Sequence, residues 1–266
     1  MSHDMRGGQI ARPFFLSLAD PFRRWLATPT PPARARVVVP FTGGPIAEGG
    51  PWTINPYWLG ETVFVVGSGP SILKTNFELI RGRKIICINS SYEIVPFASM
   101  VYFGDGRWWT EHKNALNKFP GHVVTCSGLV RSNKVLRIHR MKPTNQETGF
   151  QYSREGVASQ RTSLQGGMNL AAHLNSNERI KGKIVLLGAD MGRDPVTNVS
   201  HGHKPHKWPP RPGNVTWDEQ MRHLKWIVPH LLKLGIEVTN CSATTRIPWW
   251  PRMPLEEFLE KEKGKA

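Results

Sequence analysis

The chain has 266 residues, and 35 lysines and arginines against 20 aspartates and glutamates give it a formal net charge of +15. It is 39% hydrophobic with a mean hydropathy of −0.37; that is too apolar for a fully disordered chain, and no run approaches the roughly 18 apolar residues of a membrane span. Cys87, Cys126 and Cys241 are odd in number and far apart, which excludes a disulfide framework and a paired-cysteine zinc site and predicts reduced, buried thiols in a cytoplasmic protein.

The first 60 residues read as a basic, Pro/Gly-rich arm and linker, and residues 61–266 as the folded domain. Residues 13–26 (PFFLSLADPFRRWL) form a short amphipathic piece, a docking arm or a peripheral membrane contact, without the apolar core of a signal peptide. TPTPPARAR at 28–36 is an extended basic linker, 37–39 a short strand and 42–55 a loop.

From residue 62 the pattern becomes regular. TVFVVG at 62–67 is a continuous apolar run ending in glycine, as in a strand buried on both faces. A helix is predicted over 70–80, a buried strand over 84–89, a third strand over 99–103, a helix over 108–118 and a strand over 121–126. A more exposed strand over 134–139 and a helix over 162–174 follow, then the buried strand KIVLLG at 183–188. The longest helix is placed over 217–234 with Gly235 as its cap, the last strand over 236–240 and the last helix over 254–263. Trp217, Trp226, Trp249 and Trp250 read as structural, with IPWWP covering a sheet end. This alternation predicts an α/β fold, a Rossmann-like three-layer sandwich with a mainly parallel sheet and an extended N-terminal arm.

Parallel sheets bind ligands beyond the carboxyl ends of their strands, so the strand ends are the candidate site. Gly67, Ser68, Gly69, Pro70 and Ser71 form GSGPS between a strand and a helix, where glycines admit an anion close to the backbone and hydroxyls contact phosphate. It is neither a P-loop nor a complete dinucleotide fingerprint, and the alternative is a tight turn. Asn89, with Ser90 and Ser91, either reads a ribose or base or makes a turn. Asp105 ends a strand as a base, a sugar ligand or a helix cap, and Trp108 and Trp109 after it either stack on a ring or enter the core. In SLQGGMN, Ser163, Gln165, Gly166 and Gly167 either cradle a second anion or allow close helix packing. Asp190 and Asp194 lead from a buried strand into a long loop with His201, His203, His206, Lys204 and Lys207. Such loops act as lids or binding loops, and a histidine there suits a general base or phosphate ligand. Metal is the rival, since His-x-His can hold one ion; it ranks lower because no compact carboxylate or cysteine set completes a site. A solvated basic loop is the third reading. The charge admits nucleotides, nucleic acid, anionic lipid or phosphorylated substrates as partners, but no zinc finger, homeodomain or RNA-recognition signature is present.

Taken together, VFVVGSGPSI, IICINSSYE, MVYFGDGRWW, QGGMNLAAHL, IVLLGADM and IEVTN resemble the MptE-like (DUF115) proteins and the related family 42 sialyltransferases over residues 62–240. The resemblance implies a modified Rossmann fold that binds a nucleotide or nucleotide-sugar. On the sialyltransferase side it implies a CMP-linked donor, no required metal, and a loop histidine as base, one of His201, His203 and His206. It implies that Gly67 to Ser71 contact phosphate or ribose, that Asn89 contacts nucleotide or sugar, and that Asp190 holds the site. On the pterin side it implies diphosphate transfer from ATP with Mg²⁺, for which Asp105, Asp190 and Asp194 are the candidate ligands. Compact members resemble phage-encoded and cell-envelope proteins, which extends the acceptors to surface glycans and nucleic acid. The basic arm and the His/Lys/Pro-rich loop depart from the family pattern. A binding or virion-associated protein that keeps the fold without activity is the non-enzymatic alternative.

Overall fold

The structure is a computed structural model and describes residues 51–207 and 216–264. The expectations for the arm at 1–50, with its amphipathic piece, linker and short strand, lie outside the described residues.

Seven parallel strands form one sheet in the order β5-β4-β3-β2-β1-β8-β9. They are β1 (Thr62–Val66), β2 (Lys84–Ile88), β3 (Met100–Phe103), β4 (His122–Thr125), β5 (Val135–Arg137), β8 (Lys183–Leu187) and β9 (Glu237–Asn240). Two three-residue strands, β6 (His139–Met141) and β7 (Gly156–Ala158), pair in parallel as a separate ribbon. The predicted parallel α/β sandwich is therefore the fold. Every residue of β1 is buried, as its continuous apolar run requires of a strand covered on both faces.

Side-chain alternation sorts the sheet into two cores. On one face Phe64, Cys87, Val101, Phe103 and Val185 pack with Trp108 and Leu116 of α1 (Gly106–Leu116) and with Leu255 and Phe258 of α5 (Leu255–Lys263). Phe64 and Phe258 meet edge to face with ring centres 6.2 Å apart. The other face is covered by α2 (Ser163–Asn175), in which every residue after Ser163 is buried. A Cβ on Gly166 would lie 2.3 Å from the Tyr102 hydroxyl, and one on Gly167 would lie 2.3 Å from Ile88 Cδ1. Both glycines therefore let the helix approach the sheet closely.

Two predicted helices are corrected. Residues 70–80 form two short 3-10 turns, Pro70–Lys74 and Phe77–Ile80, and Asn76 caps the second by accepting from the Glu78 amide. The long helix divides into α3 (Trp217–Lys225) and α4 (Val228–Lys233). Pro229 is the cause: it has no N–H to give, and its ring would strike the carbonyl one turn earlier in a continuous helix. Gly235 ends α4 with φ at 69°, as expected of a C-terminal glycine.

Residues 51–60, read as linker, are built into the domain. Ile54 is wholly buried, and the Trp52 and Trp58 amides donate to the carbonyls of Arg137 and Leu174. IPWWP caps a sheet end, as expected: the Asn240 amide donates to Pro251 and Trp250 is buried. All three cysteines are free and buried, and burial pushes the Cys87 and Cys241 thiols up to about 12. Among the described residues, no helix is long and apolar enough to cross a membrane.

Candidate functional site

Strand order reverses between β1 and β8, because β1 leads to β2 on one side while β8 and β9 lie on the other. Beyond such a switch point the connections diverge and leave a crevice. A cleft of about 250 Å³ lies there, lined by Gly67, Ser68, Gly69, Asn89, Gly188, Asp190, the start of α2 and the loop histidines. This volume is just below the usual range for ligand pockets, about 300–1,000 Å³.

Its floor is tightly knitted. The Gly67 and Gly69 amides donate to Leu187 and Gly188 carbonyls at 2.7 and 2.8 Å. A Cβ on Gly69 would stand 2.0 Å from Asp190 Oδ2 and 2.7 Å from the Gly188 oxygen, so glycine is required by close approach. Asp190 is almost fully buried; its Oδ2 accepts from the Ser71 hydroxyl at 2.8 Å and the Ser71 amide at 3.3 Å, and its Oδ1 from Thr244 at 2.5 Å. An internal carboxylate thus occupies the position where a phosphate was expected at the turn. Pro70 and Ser71 are buried beneath the turn and outside the cleft lining. Gly67, Ser68 and Gly69 present a surface to a ligand, but the two glycine amides are already spent.

Asn89 does line the cleft, in left-handed backbone at φ 51°, and Met191, also on the cleft, adopts φ 53°. Two of the three described non-glycine residues with positive φ therefore sit on this cleft, where strained backbone is characteristic of functional sites. Ser90 and Ser91 turn inward: Ser91 donates to the Val66 carbonyl, and Ser90 accepts from the Trp108 indole. Asp105 caps α1 by accepting from the Arg107 amide at 2.9 Å and pairs with the Arg107 side chain at 3.1 Å. It does not line the cleft. Trp108 is a core residue stacked on His112 with centres 4.3 Å apart, and Trp109 stacks on Phe103.

The start of α2 supplies one wall of the cleft. Arg161, Thr162, Ser163 and Leu164 line the cleft, so this 13-residue helix opens its N-terminus onto it. Thr162 caps it by accepting from the Leu164 amide, and Arg161 adds a cation paired with Glu219 at 3.0 Å. Gln165 instead reaches the Gly149 carbonyl. Lys204 and Lys207 are exposed and outside the lining. Sequence reasoning missed Arg161, Gln220 and Trp217 as cleft residues; the last two come from α3. Trp217, read as structural, lines the cleft, with the Arg193 guanidinium 5.9 Å from its ring centre.

All three loop histidines line the cleft, with ring centres 5.2 Å apart for His201 and His203 and 5.0 Å for His203 and His206. Desolvation within the cleft, helped by the neighbouring imidazoles, lowers His201 and His203; it also lowers His206, against the opposing pull of Glu111. Neutral imidazoles are the result at physiological pH, as bases or metal ligands require. The loop is held at its start by Asp194, whose carboxylate pairs with Lys74 at 2.6 Å and accepts the Val196 and Thr197 amides. The Lys74 ammonium holds the Asp194 carboxyl well below the usual carboxylate range.

The three aspartates considered for Mg²⁺ do not fit it. Asp105, Asp190 and Asp194 each serve a cap, a turn or a lysine, and they do not converge. The metal-type cluster among the described residues is instead Glu111, His112 and His206. A scan against protein-family models, a search of curated proteins and a search of solved structures each returned no match to this chain.

Proposed function

We propose that this chain is a nucleotide-sugar-dependent glycosyltransferase of sialyltransferase-like type. The observation behind this reading is the convergence, on one switch-point cleft, of the β1 turn, Asn89, the N-terminus of α2 with Arg161, and three histidines. The nucleoside lies over Gly67 to Gly69 and Asn89 and stacks on Trp217. Its phosphate sits at Ser163 and Arg161, where helix dipole and guanidinium stabilise the charge left by the departing nucleotide. A loop histidine takes the proton from an acceptor hydroxyl. Asp190 is a positioning residue that ties the β1 turn to the end of β8. The donor is CMP-linked in the resemblance noted above, and the acceptor is an anionic glycan or nucleic acid compatible with the +15 charge. A cytoplasmic setting agrees with three buried free thiols. For the pyrophosphokinase alternative, no converged carboxylate site for Mg²⁺ is found among the described residues.

The test is donor turnover by wild-type protein and by His201→Gln, His203→Gln and His206→Gln. At the true base, turnover falls by about 10²- to 10⁴-fold while nucleotide affinity stays within a few-fold. Unchanged turnover in all three variants rejects a histidine base.

A further inference from the structure

The histidine loop meets α1 at a place the glycosyltransferase reading does not use. Glu111 and His112 are consecutive on α1 and His206 comes from the loop after β8; one potential ligand atom from each lies within 4.8 Å of the other two. We propose that Glu111, His112 and His206 form a binding site for a divalent transition ion of the zinc type.

Four observations support it. First, Glu111 Oε2 is buried and makes no hydrogen bond, so the facing His206 imidazole is left as its charge partner unless a cation enters between them. Second, that oxygen lies 3.7 Å from Nδ1 of His206. Ligand atoms about 2.0–2.1 Å from a tetrahedral ion stand about 3.4 Å apart, so a small side-chain adjustment closes the pair on a metal. Third, His112 is held rigidly, with the Tyr92 hydroxyl 2.9 Å from Nδ1 and its ring stacked on Trp108 at 4.3 Å. Metal-bound histidines are oriented by such outer partners. Fourth, the rings of His112 and His206 face one another across the site, with centres 6.3 Å apart.

Two imidazoles and one carboxylate are a donor set for zinc with an open fourth position, in contrast to the all-oxygen shell preferred by Mg²⁺. Since His206 also lines the cleft, that fourth position is open to water. A metal-bound His206 cannot serve as base, which leaves His201 and His203 for that role. The carboxylate that completes the set is invisible around the histidines in sequence, because Glu111 precedes His206 by 95 residues and joins it only through the fold.

The experiment uses the full chain, stripped with chelator and free of nucleotide, so its result is independent of the glycosyltransferase reading. Co²⁺ is titrated with visible absorption as the readout, and Zn²⁺ is then used as competitor. One equivalent of Co²⁺ with the ligand-field bands of a low-coordinate ion, displaced by Zn²⁺, is expected. Outer-shell partners alone are worth about 10- to 100-fold in metal affinity, so Glu111→Gln and His206→Gln should each weaken Zn²⁺ by about 100-fold or more. His112 is left intact because it packs in the core, and circular dichroism confirms that the two variants are folded. Absence of Co²⁺ binding by wild type, or unchanged Zn²⁺ affinity in either folded variant, overturns the proposal.

Discussion

At the residue scale the site is governed by what its small residues exclude. Gly69 stands where any side chain would meet Asp190 Oδ2 and the Gly188 carbonyl. The carboxylate can rotate, but the strand-end carbonyl cannot easily yield. Gly69→Ala should therefore cost about 1–3 kcal/mol of stability and widen the turn, measured as a lower urea midpoint. A midpoint equal to wild type would show that the turn is loose. Gly67 and Gly69 were legible as functional candidates because glycines end a buried strand there. Their use was not legible: which carbonyls receive their amides depends on β8, more than 100 residues away. The same distance hid the partner of Ser71, which is Asp190.

At the element scale the sheet was readable and the connections less so. Apolar runs such as TVFVV and KIVLL announce buried strands without help from the rest of the chain. β6 and β7 were missed because three residues with little apolar pattern, such as HRM, give no period to detect. Pro229 was present as a breaker in the predicted long helix, yet the apolar spacing across it suggested continuity. For α2, Gly166 and Gly167 admitted both a phosphate cradle and close packing, and packing is what the fold uses. The two positions should respond differently. Alanine at 166 meets the ring and hydroxyl of fully buried Tyr102, whereas alanine at 167 meets the movable end of Ile88. Gly166→Ala should lose about 1–3 kcal/mol and Gly167→Ala clearly less, as read by chemical denaturation. Equal losses would contradict this account of the helix–sheet contact. Arg161, Trp217 and Gln220 became cleft residues only because α2 and α3 bring their first turns to the same strand ends, which no local pattern encodes.

At the scale of the whole molecule, buried histidines couple stability to pH. Burial, reinforced by Arg154, lowers His173 from 6.5 to about 4. The folded protein then binds fewer protons than the unfolded chain between these values, so stability is fully present above about pH 6.5 and falls as pH drops toward about 4. A loss on the order of 1–3 kcal/mol is expected from this group across that interval, with part of the slope removed in His173→Gln. A flat profile of unfolding free energy over that range would show that His173 does not carry the effect. Net charge acts over the same dimension: +15 favours anionic ligands and makes their capture sensitive to salt.

The most direct test of the account is a calorimetric titration of nucleoside monophosphates and diphosphates into the full chain, with chelator present, repeated on Arg161→Ala. The account predicts one metal-independent site, with cytidine nucleotides preferred. Arg161→Ala should weaken binding by about 10- to 100-fold, since a hydrogen bond to a charged group is worth about 1.5–3 kcal/mol. Failure of a folded chain to bind any nucleotide, or binding that Arg161→Ala leaves unchanged, would contradict a nucleotide phosphate at the start of α2.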